Sequence, residues 1–130
     1  MQSLKFRSIK EKMAILIVDD SQDICEVLSE IIKFEGYDVV TAESGKNALE
    51  MIENNAFTAV FLDLHMPEFS GLKVIDYLTK SGSILLNKII VMTATSISST
   101  ELNNLKKNGV WLWMRKPMNL NELQSTLRSI

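Results

Sequence analysis

Three aspartates follow two short apolar segments of this 130-residue chain. Asp19 and Asp20 come directly after residues 14–18, and Asp63 follows residues 58–62. An apolar run of about five residues predicts a strand that is buried on both faces, and open α/β sheets carry their sites beyond the strand ends. Three carboxylates that meet there repel one another, which disfavours the ionisation of all three. Because Mg²⁺ prefers carboxylate and water oxygens, the sequence predicts a magnesium site at one edge of a parallel sheet.

Five apolar runs alternate with segments of helical character along the chain. The runs are residues 14–18, 39–42, 58–62, 88–92 and 110–114. Helices are predicted from Ser21 to Gly36, from near Ser44, after Gly71, over residues 99–108 and from about Asn119 towards Ile130. The residues predicted to face inward include Val27 on the first helix and Leu72 on the third.

This alternation predicts an α/β fold, a doubly wound five-stranded parallel sheet with helices on both faces. The expected strand order is the flavodoxin-like 2-1-3-4-5. In that order strands 1 and 3 are neighbours, so that Asp19, Asp20 and Asp63 meet where their loops diverge.

Composition restricts the classes of function. Hydrophobic residues make up 46% and charged residues 23%, which fits one globular domain, while the net charge of -2 and pI near 5.4 argue against nucleic acid as the main partner. We expect no membrane span, and the single Cys25 indicates a reducing, cytoplasmic setting. Residues 1–12 are predicted to form an arm or tail before one domain at residues 13–130, and we expect no second domain after it.

The residues at the predicted strand ends resemble those of the response-regulator receiver domain, the phosphoacceptor module of two-component signalling found in chemotaxis regulators. The matching residues are Asp19-Asp20, Asp63-Leu64-His65-Met66-Pro67 with Gly71, Thr93-Ala94 and Lys116-Pro117. Each piece is weak evidence alone, but five in order at predicted strand ends form a specific pattern that covers about residues 13–130.

The resemblance implies a role for each of the acids. Asp63 would accept a phosphoryl group from the phosphohistidine of a histidine kinase or phosphotransfer protein. Mg²⁺ would be bound by Asp63, by Asp20, by Asp19 directly or through water, and by the main-chain carbonyl of His65.

The resemblance also implies a catalytic pair and a switch. Lys116 and Thr93 would contact the phosphoryl oxygens, and Thr93 would move towards them after transfer. An aromatic residue on strand 5 would then turn inward, and Trp113 holds that position. Tyrosine or phenylalanine is more usual there, so Trp113 departs from the family pattern. Trp111 lies on the same side of strand 5, either covered by helices 4 and 5 or part of an exposed patch that binds a downstream protein or a second copy.

The resulting hypothesis is a phosphoacceptor receiver domain, either stand-alone or part of a larger regulator or hybrid kinase, that is not itself an enzyme. One alternative is a phosphohydrolase of the aspartyl-phosphate type. Such enzymes carry a second acid two residues after the nucleophile, where this chain has His65. The other alternative is a pseudo-receiver that serves only as a scaffold.

Overall fold

The computed structural model describes residues 14–130, and the predicted arm at residues 1–12 lies outside them. Strands and helices alternate along these residues. The strands are β1 Ala14–Val18, β2 Asp38–Ala42, β3 Ala59–Asp63, β4 Lys88–Thr93 and β5 Leu112–Arg115. The α-helices are α1 Gln22–Phe34, α2 Gly45–Asn54, α3 Gly71–Ser81, α4 Ser99–Lys107 and α5 Leu120–Ser129.

The five strands form one parallel sheet in the order β2-β1-β3-β4-β5, which confirms the predicted fold and strand order. All five residues of β3 are buried, because β3 lies at the centre of the sheet with helices on both faces. Every strand therefore points its carboxyl end towards the same edge, where the predicted site residues lie.

Two apolar layers hold the helices against the sheet. On one face, Cys25, Leu28 and Ile32 of α1 pack with Leu123 and Leu127 of α5. On the opposite face, residues of α2, α3 and α4 pack on the other side chains of the same strands; they include Ala48, Ile52, Val74, Leu78 and Leu105. Alternate strand residues thus enter opposite layers, and the sheet is held rigidly from both sides.

Side chains cap the start of all five α-helices. The side chains of Ser21, Ser44, Ser70, Ser98 and Asn119 each accept a hydrogen bond from a backbone N–H in the first turn. These caps satisfy donors that have no partner within the helix, and they fix where each helix begins.

Two predicted inward positions are wrong. Val27 is 59% exposed and Leu72 is 47% exposed. Successive residues turn by about 100° around a helix, so Val27 lies well away from the stripe of Cys25, Leu28 and Ile32 that contacts the sheet. Leu72 is similarly displaced from the buried stripe of α3.

The sequence analysis did not predict the short 3₁₀ helix at Ser83–Leu86, which joins α3 to β4.

Among residues 14–130, none of the helices combines the length and apolar character that crossing a bilayer requires.

Candidate functional site

Asp19 lies immediately after β1 with its carboxylate fully shielded from solvent. Its Oδ1 accepts a hydrogen bond from the amide of Ser21 at 2.9 Å, and its Oδ2 accepts one from Lys116 Nζ at 2.5 Å. The amide of Asp19 donates to the carbonyl of Ala42 at 3.2 Å, which continues the β1–β2 pairing past the strand end. Asp19 is therefore held by backbone and side-chain contacts on both of its carboxylate oxygens.

Asp63 is the last residue of β3, and only 4% of it is exposed. Its Oδ1 accepts a hydrogen bond from the amide of His65 at 3.1 Å, and its Oδ2 lies 3.2 Å from Lys116 Nζ. Because β1 and β3 are adjacent, Asp19 and Asp63 emerge side by side at the sheet edge. The convergence predicted from the strand order is thus present.

Burial raises the pKa of Asp63 above its ordinary value, because desolvation penalises the carboxylate more than the acid. The neighbouring charge of Asp19 acts in the same direction. The amide of His65 and the ammonium of Lys116 oppose this effect without cancelling it. The ionisation of Asp63 therefore costs free energy in the folded protein, and a further cation at the site would reduce that cost.

Lys116 bridges the two buried acids from the loop after β5. Burial by itself would lower the pKa of Lys116, but its contacts with Asp19 and Asp63 outweigh burial and raise the pKa. The amide of Lys116 donates to the carbonyl of Thr93 at 2.8 Å, and the Lys116–Pro117 peptide bond is cis. This backbone contact ties the loop that carries the ammonium to the end of β4.

The three acids fit a hard divalent cation. One carboxylate oxygen from each of Asp19, Asp20 and Asp63 lies within 4.8 Å of the others. Asp20 is exposed whereas the other two are buried, so the group opens to solvent on one side. An oxygen-only donor set with an open side suits Mg²⁺, which keeps several of its own waters when it binds protein.

Thr93 is fully buried at the end of β4, one residue beyond the partner of Asp63 in the β3–β4 pairing. Its hydroxyl accepts a hydrogen bond from the amide of Thr95 at 3.2 Å and lies 3.5 Å from Nδ1 of His65. The side chain of His65 is exposed. The hydroxyl of Thr93 thus lies at the sheet edge that carries the acids and is hydrogen-bonded within its own loop.

The loop after β3 is fixed by unusually close backbone packing. A Cβ at Gly71 would lie 2.2 Å from the carbonyl oxygen of Asp63, so that only glycine fits there. The amide of Gly71 also donates to the carbonyl of Leu64 at 3.1 Å. The start of α3 is therefore held directly against the strand end that carries the phosphoacceptor candidate.

The two tryptophans differ in their surroundings. Trp113 is half-buried and packs against the core between the sheet and α2–α4. Trp111 is 40% exposed, and Lys88 Nζ lies 5.2 Å from the centroid of its ring. Helices therefore do not fully cover Trp111, whereas the position of Trp113 is compatible with the predicted switch role, which stays a prediction.

The chain belongs to the response regulator receiver domain family, whose sequence model matches residues 15–128. It is 37% identical over 116 residues to the response regulator MprA of Mycobacterium sp. (strain KMS), covering 89% of this chain and 49% of that protein. The chain thus spans about half the length of this curated relative. The family and fold predictions are confirmed.

Solved structures agree with this assignment. The receiver domain of a LuxO repressor protein from Vibrio parahaemolyticus aligns with a TM-score of 0.82 and 27% identity, covering 91% of this chain and 88% of that one. The chemotaxis protein CheY4 of Vibrio cholerae aligns with a TM-score of 0.79 and 27% identity, covering 90% of this chain and 97% of that one.

Sequence reasoning missed two contacts at the site. It identified Lys116 but not its bridge between Asp19 and Asp63, and it did not find the hydrogen bond that holds Thr93 to Thr95. Threonine two residues after Thr93 was a weak signal for the second contact, since short hydroxyl side chains bind backbone groups nearby.

Proposed function

We propose that this chain is a phosphoacceptor receiver domain that takes a phosphoryl group onto Asp63 from a phosphohistidine partner, in a magnesium-dependent reaction. The observation that supports this most strongly is the grouping of three acids and Lys116 at the carboxyl ends of β1, β3 and β5. The proposed domain extends from residue 13 to residue 130.

The transfer is a displacement at phosphorus. One carboxylate oxygen of Asp63 forms the new bond to phosphorus as the bond from phosphorus to the partner's imidazole nitrogen breaks. The electron pair of that bond stays on the imidazole nitrogen. With one proton on the ring, the imidazole leaves as a neutral group. Reactions of this kind depend on positioning and on neutralising the phosphoryl oxygens.

Four groups of the chain would bind the metal: the carboxylates of Asp19, Asp20 and Asp63 and the main-chain carbonyl of His65. Mg²⁺ supplies positive charge that offsets both the acids and the phosphoryl oxygens. The close contacts of Asp19 and Asp63 with Lys116 support their assignment, because these are the groups that most need compensating charge.

Lys116 and Thr93 complete the site. The ammonium of Lys116 already faces Asp63 and would stay close to the oxygens added to it. The hydroxyl of Thr93 would exchange its contact with Thr95 for a phosphoryl oxygen. We propose that this movement and a rotation of Trp113 change the surface of α4, β5 and α5, through which a downstream protein or a second copy would bind.

We propose that the chain is a signalling module in the cytoplasm and not an enzyme, since Asp63 is itself the group that is modified. A histidine kinase or phosphotransfer protein is the proposed donor, and neither nucleic acid nor a membrane is a proposed partner. The lone buried thiol of Cys25 supports a reducing compartment.

Phosphorylation by a small donor tests this function. The protein is incubated with acetyl phosphate and Mg²⁺, and its intact mass is measured. We expect one phosphoryl group per chain, none in Asp63→Asn, none after chelation of the metal, and an unchanged gain in Asp76→Asn, which alters an exposed acid of α3.

Three results would contradict the proposal. A chain that turns over phosphate esters without retaining phosphate would be a phosphohydrolase, and a correctly folded chain that does neither would be a scaffold. Retention of the phosphoryl group in Asp63→Asn would also contradict the assignment of the acceptor.

A further inference from the structure

We propose that this chain associates head to tail, with the outer face of α1 in one copy bound to a basic apolar patch in the next copy. This patch lies at the edge of the sheet where the strands begin, opposite the aspartates. We call it the amino-edge patch, and its members are Leu85, Leu86, Lys88, Lys106, Lys107 and Trp111. The inference does not rest on the proposed phosphoacceptor function.

Two neighbouring leucines of the 3₁₀ helix are almost fully exposed. Leu85 is 79% exposed and Leu86 is 80% exposed. A Cβ built on Gly109 would lie 3.3 Å from Cδ2 of Leu85, so the loop before β5 lies directly against this side chain. Trp111, which is also partly exposed, follows two residues later in that loop. Exposed apolar side chains that adjoin in this way are typical of a binding surface.

Three lysines flank these apolar side chains. Lys88 Nζ lies 5.2 Å from the centroid of the Trp111 ring. Lys106 and Lys107 belong to the last turn of α4, and the amide of Gly109 donates a hydrogen bond to the carbonyl of Lys106. The end of α4 is thus joined to the loop that lies against the exposed leucines.

The charged side chains of the amino-edge patch are all positive. Neither positions 82–88 nor positions 106–111 contain an aspartate or a glutamate. Two such patches would repel each other, so a contact between two identical patches is disfavoured. The complementary partner is an acidic surface that also exposes apolar side chains.

The outer face of α1 has this complementary character. Phe34 is 84% exposed, and it lies two turns after the exposed Val27, about 10 Å further along the same face. Asp23, Glu26 and Glu30 are exposed as well. A turn of about 100° per residue places all five side chains within an arc of about 100° on α1. The helix carries one basic residue, in its last turn.

The two surfaces lie on opposite sides of the sheet. Ile84 and Leu105, which adjoin the amino-edge patch in the chain, pack in the apolar layer under α2–α4. Cys25 and Leu28 of α1 pack in the other layer. One copy therefore cannot join its own two surfaces, and a contact between copies leaves one surface of each kind free. Such a contact is heterologous and builds a chain or a ring of copies.

Sedimentation equilibrium of the full chain measures this association. We expect the mean mass to rise above the 14.7 kDa of one chain as concentration increases, without Mg²⁺ or a phosphodonor. Added salt should weaken the association, because exposed charges contribute to it. Asp63→Asn should associate like the wild type, so failure of phosphorylation and failure of association are separate results.

Reversing the charge of either surface should weaken the association roughly tenfold or more. The two variants are Glu26→Lys/Glu30→Lys on α1 and Lys106→Glu/Lys107→Glu on the amino-edge patch. Mixed in equal amounts, they should associate again. In the mixture each reversed surface meets a reversed partner, and each unchanged surface meets an unchanged one.

Single substitutions test the apolar part of the contact. Phe34→Ser and Leu86→Ser change side chains that are almost fully exposed, so the core is unaffected. Each should weaken the association roughly fivefold or more. Leu72→Ser is the matched control, because Leu72 is an exposed leucine of α3 outside both surfaces and its loss should change nothing. Circular dichroism checks that every variant is folded.

Three outcomes would overturn the inference. In the first, the wild type keeps the mass of one chain at every concentration. In the second, it associates but the substitutions on α1 have no effect, which would assign the contact to other surfaces. In the third, the equal mixture of the two charge-reversed variants does not associate.

Discussion

Lys116 holds together two carboxylates that would otherwise repel each other in a buried position. Its ammonium lies 2.5 Å from Asp19 Oδ2 and 3.2 Å from Asp63 Oδ2, while the other oxygen of each acid accepts a backbone N–H. One ammonium therefore contacts two carboxylates, and these three groups together carry a net negative charge when all are ionised. The ionised acids thus lower the stability of the fold, as is common at functional sites.

Replacing Asp63 by asparagine should stabilise the protein in the absence of Mg²⁺. Burial first, and the charge of Asp19 in addition, raise the pKa of Asp63 in the folded state. The folded protein thus binds this proton more tightly than the unfolded chain, and the free energy of unfolding falls as pH rises from the ordinary pKa of 3.8 through the raised value. Asp63→Asn avoids this loss and should gain about 1 kcal/mol at neutral pH.

Urea unfolding at several pH values, with metal chelated, measures this difference. The gain should shrink as pH falls from the raised pKa of Asp63 towards 3.8, and it should be lost below pH 3.8, where Asp63 is protonated in both the folded and the unfolded state. Asp76→Asn is the control, because Asp76 belongs to an exposed pair with Lys80 and should change stability by less than about 1 kcal/mol. A neutral-pH stability of Asp63→Asn below that of the wild type would contradict this explanation.

At the scale of elements, the strand order accounts for the position of the acids, and the caps account for where the helices begin. β1 and β3 are adjacent, so Asp19 and Asp63 meet although 44 positions separate them (63 minus 19). The loop from β3 to α3 then depends on Gly71, which packs against the carbonyl of Asp63. The geometry of the strand end that carries Asp63 therefore depends on the first residue of a helix.

Gly71→Ala should be strongly destabilising for this reason. Its Cβ would lie 2.2 Å from the carbonyl oxygen of Asp63 and 2.8 Å from the Cα of Leu64, and neither backbone atom can move freely. We expect a loss of about 3 kcal/mol or more in the free energy of unfolding, measured by urea titration.

Gly36→Ala is the matched control. Gly36 has a φ of +97° but no atom within 4 Å of its added Cβ, so it carries only the backbone penalty of about 1–2 kcal/mol. An equal loss for the two variants would show that overlap with β3 is not what fixes Gly71.

At the scale of the whole molecule, the sequence predicted the strands of the sheet well and the buried faces of the helices less well. The apolar runs give the observed bounds of β1 and come within one residue of those of β3, because both strands are buried on two faces, where hydrophobicity alone determines the pattern. Inward positions on helices were predicted less well, as exposed Val27 and Leu72 show. The apolar residues of a helix can form a stripe that is wider than its contact with the sheet, and the helical period does not separate the two.

The candidate site was predictable in its residues but not in its contacts. Residue types at strand ends predicted that Asp19 and Asp63 meet, because parallel topology brings strand ends to one edge. Lys116 was predicted from the resemblance to receiver domains. The salt bridges and the contact between Thr93 and Thr95 depend on side-chain conformations that no spacing specifies. The 3₁₀ helix at Ser83–Leu86 was missed because four residues are too few to show a helical period.

A titration with Mg²⁺ tests the central claim most directly, namely that the three aspartates form a single cation site. Binding is measured by calorimetry, and the amide shifts of β1 and β3 report where the ion binds. Asp20 is the residue to change, because it is exposed and Asp20→Asn should leave the fold intact.

We predict one Mg²⁺ per chain in the wild type, an affinity reduced on the order of tenfold or more in Asp20→Asn, and an unchanged affinity in Asp76→Asn. Amide shifts in the wild type should be concentrated around Asp19 and Asp63. Equal affinities of the wild type and Asp20→Asn, or shifts that avoid the ends of β1 and β3, would contradict the claim.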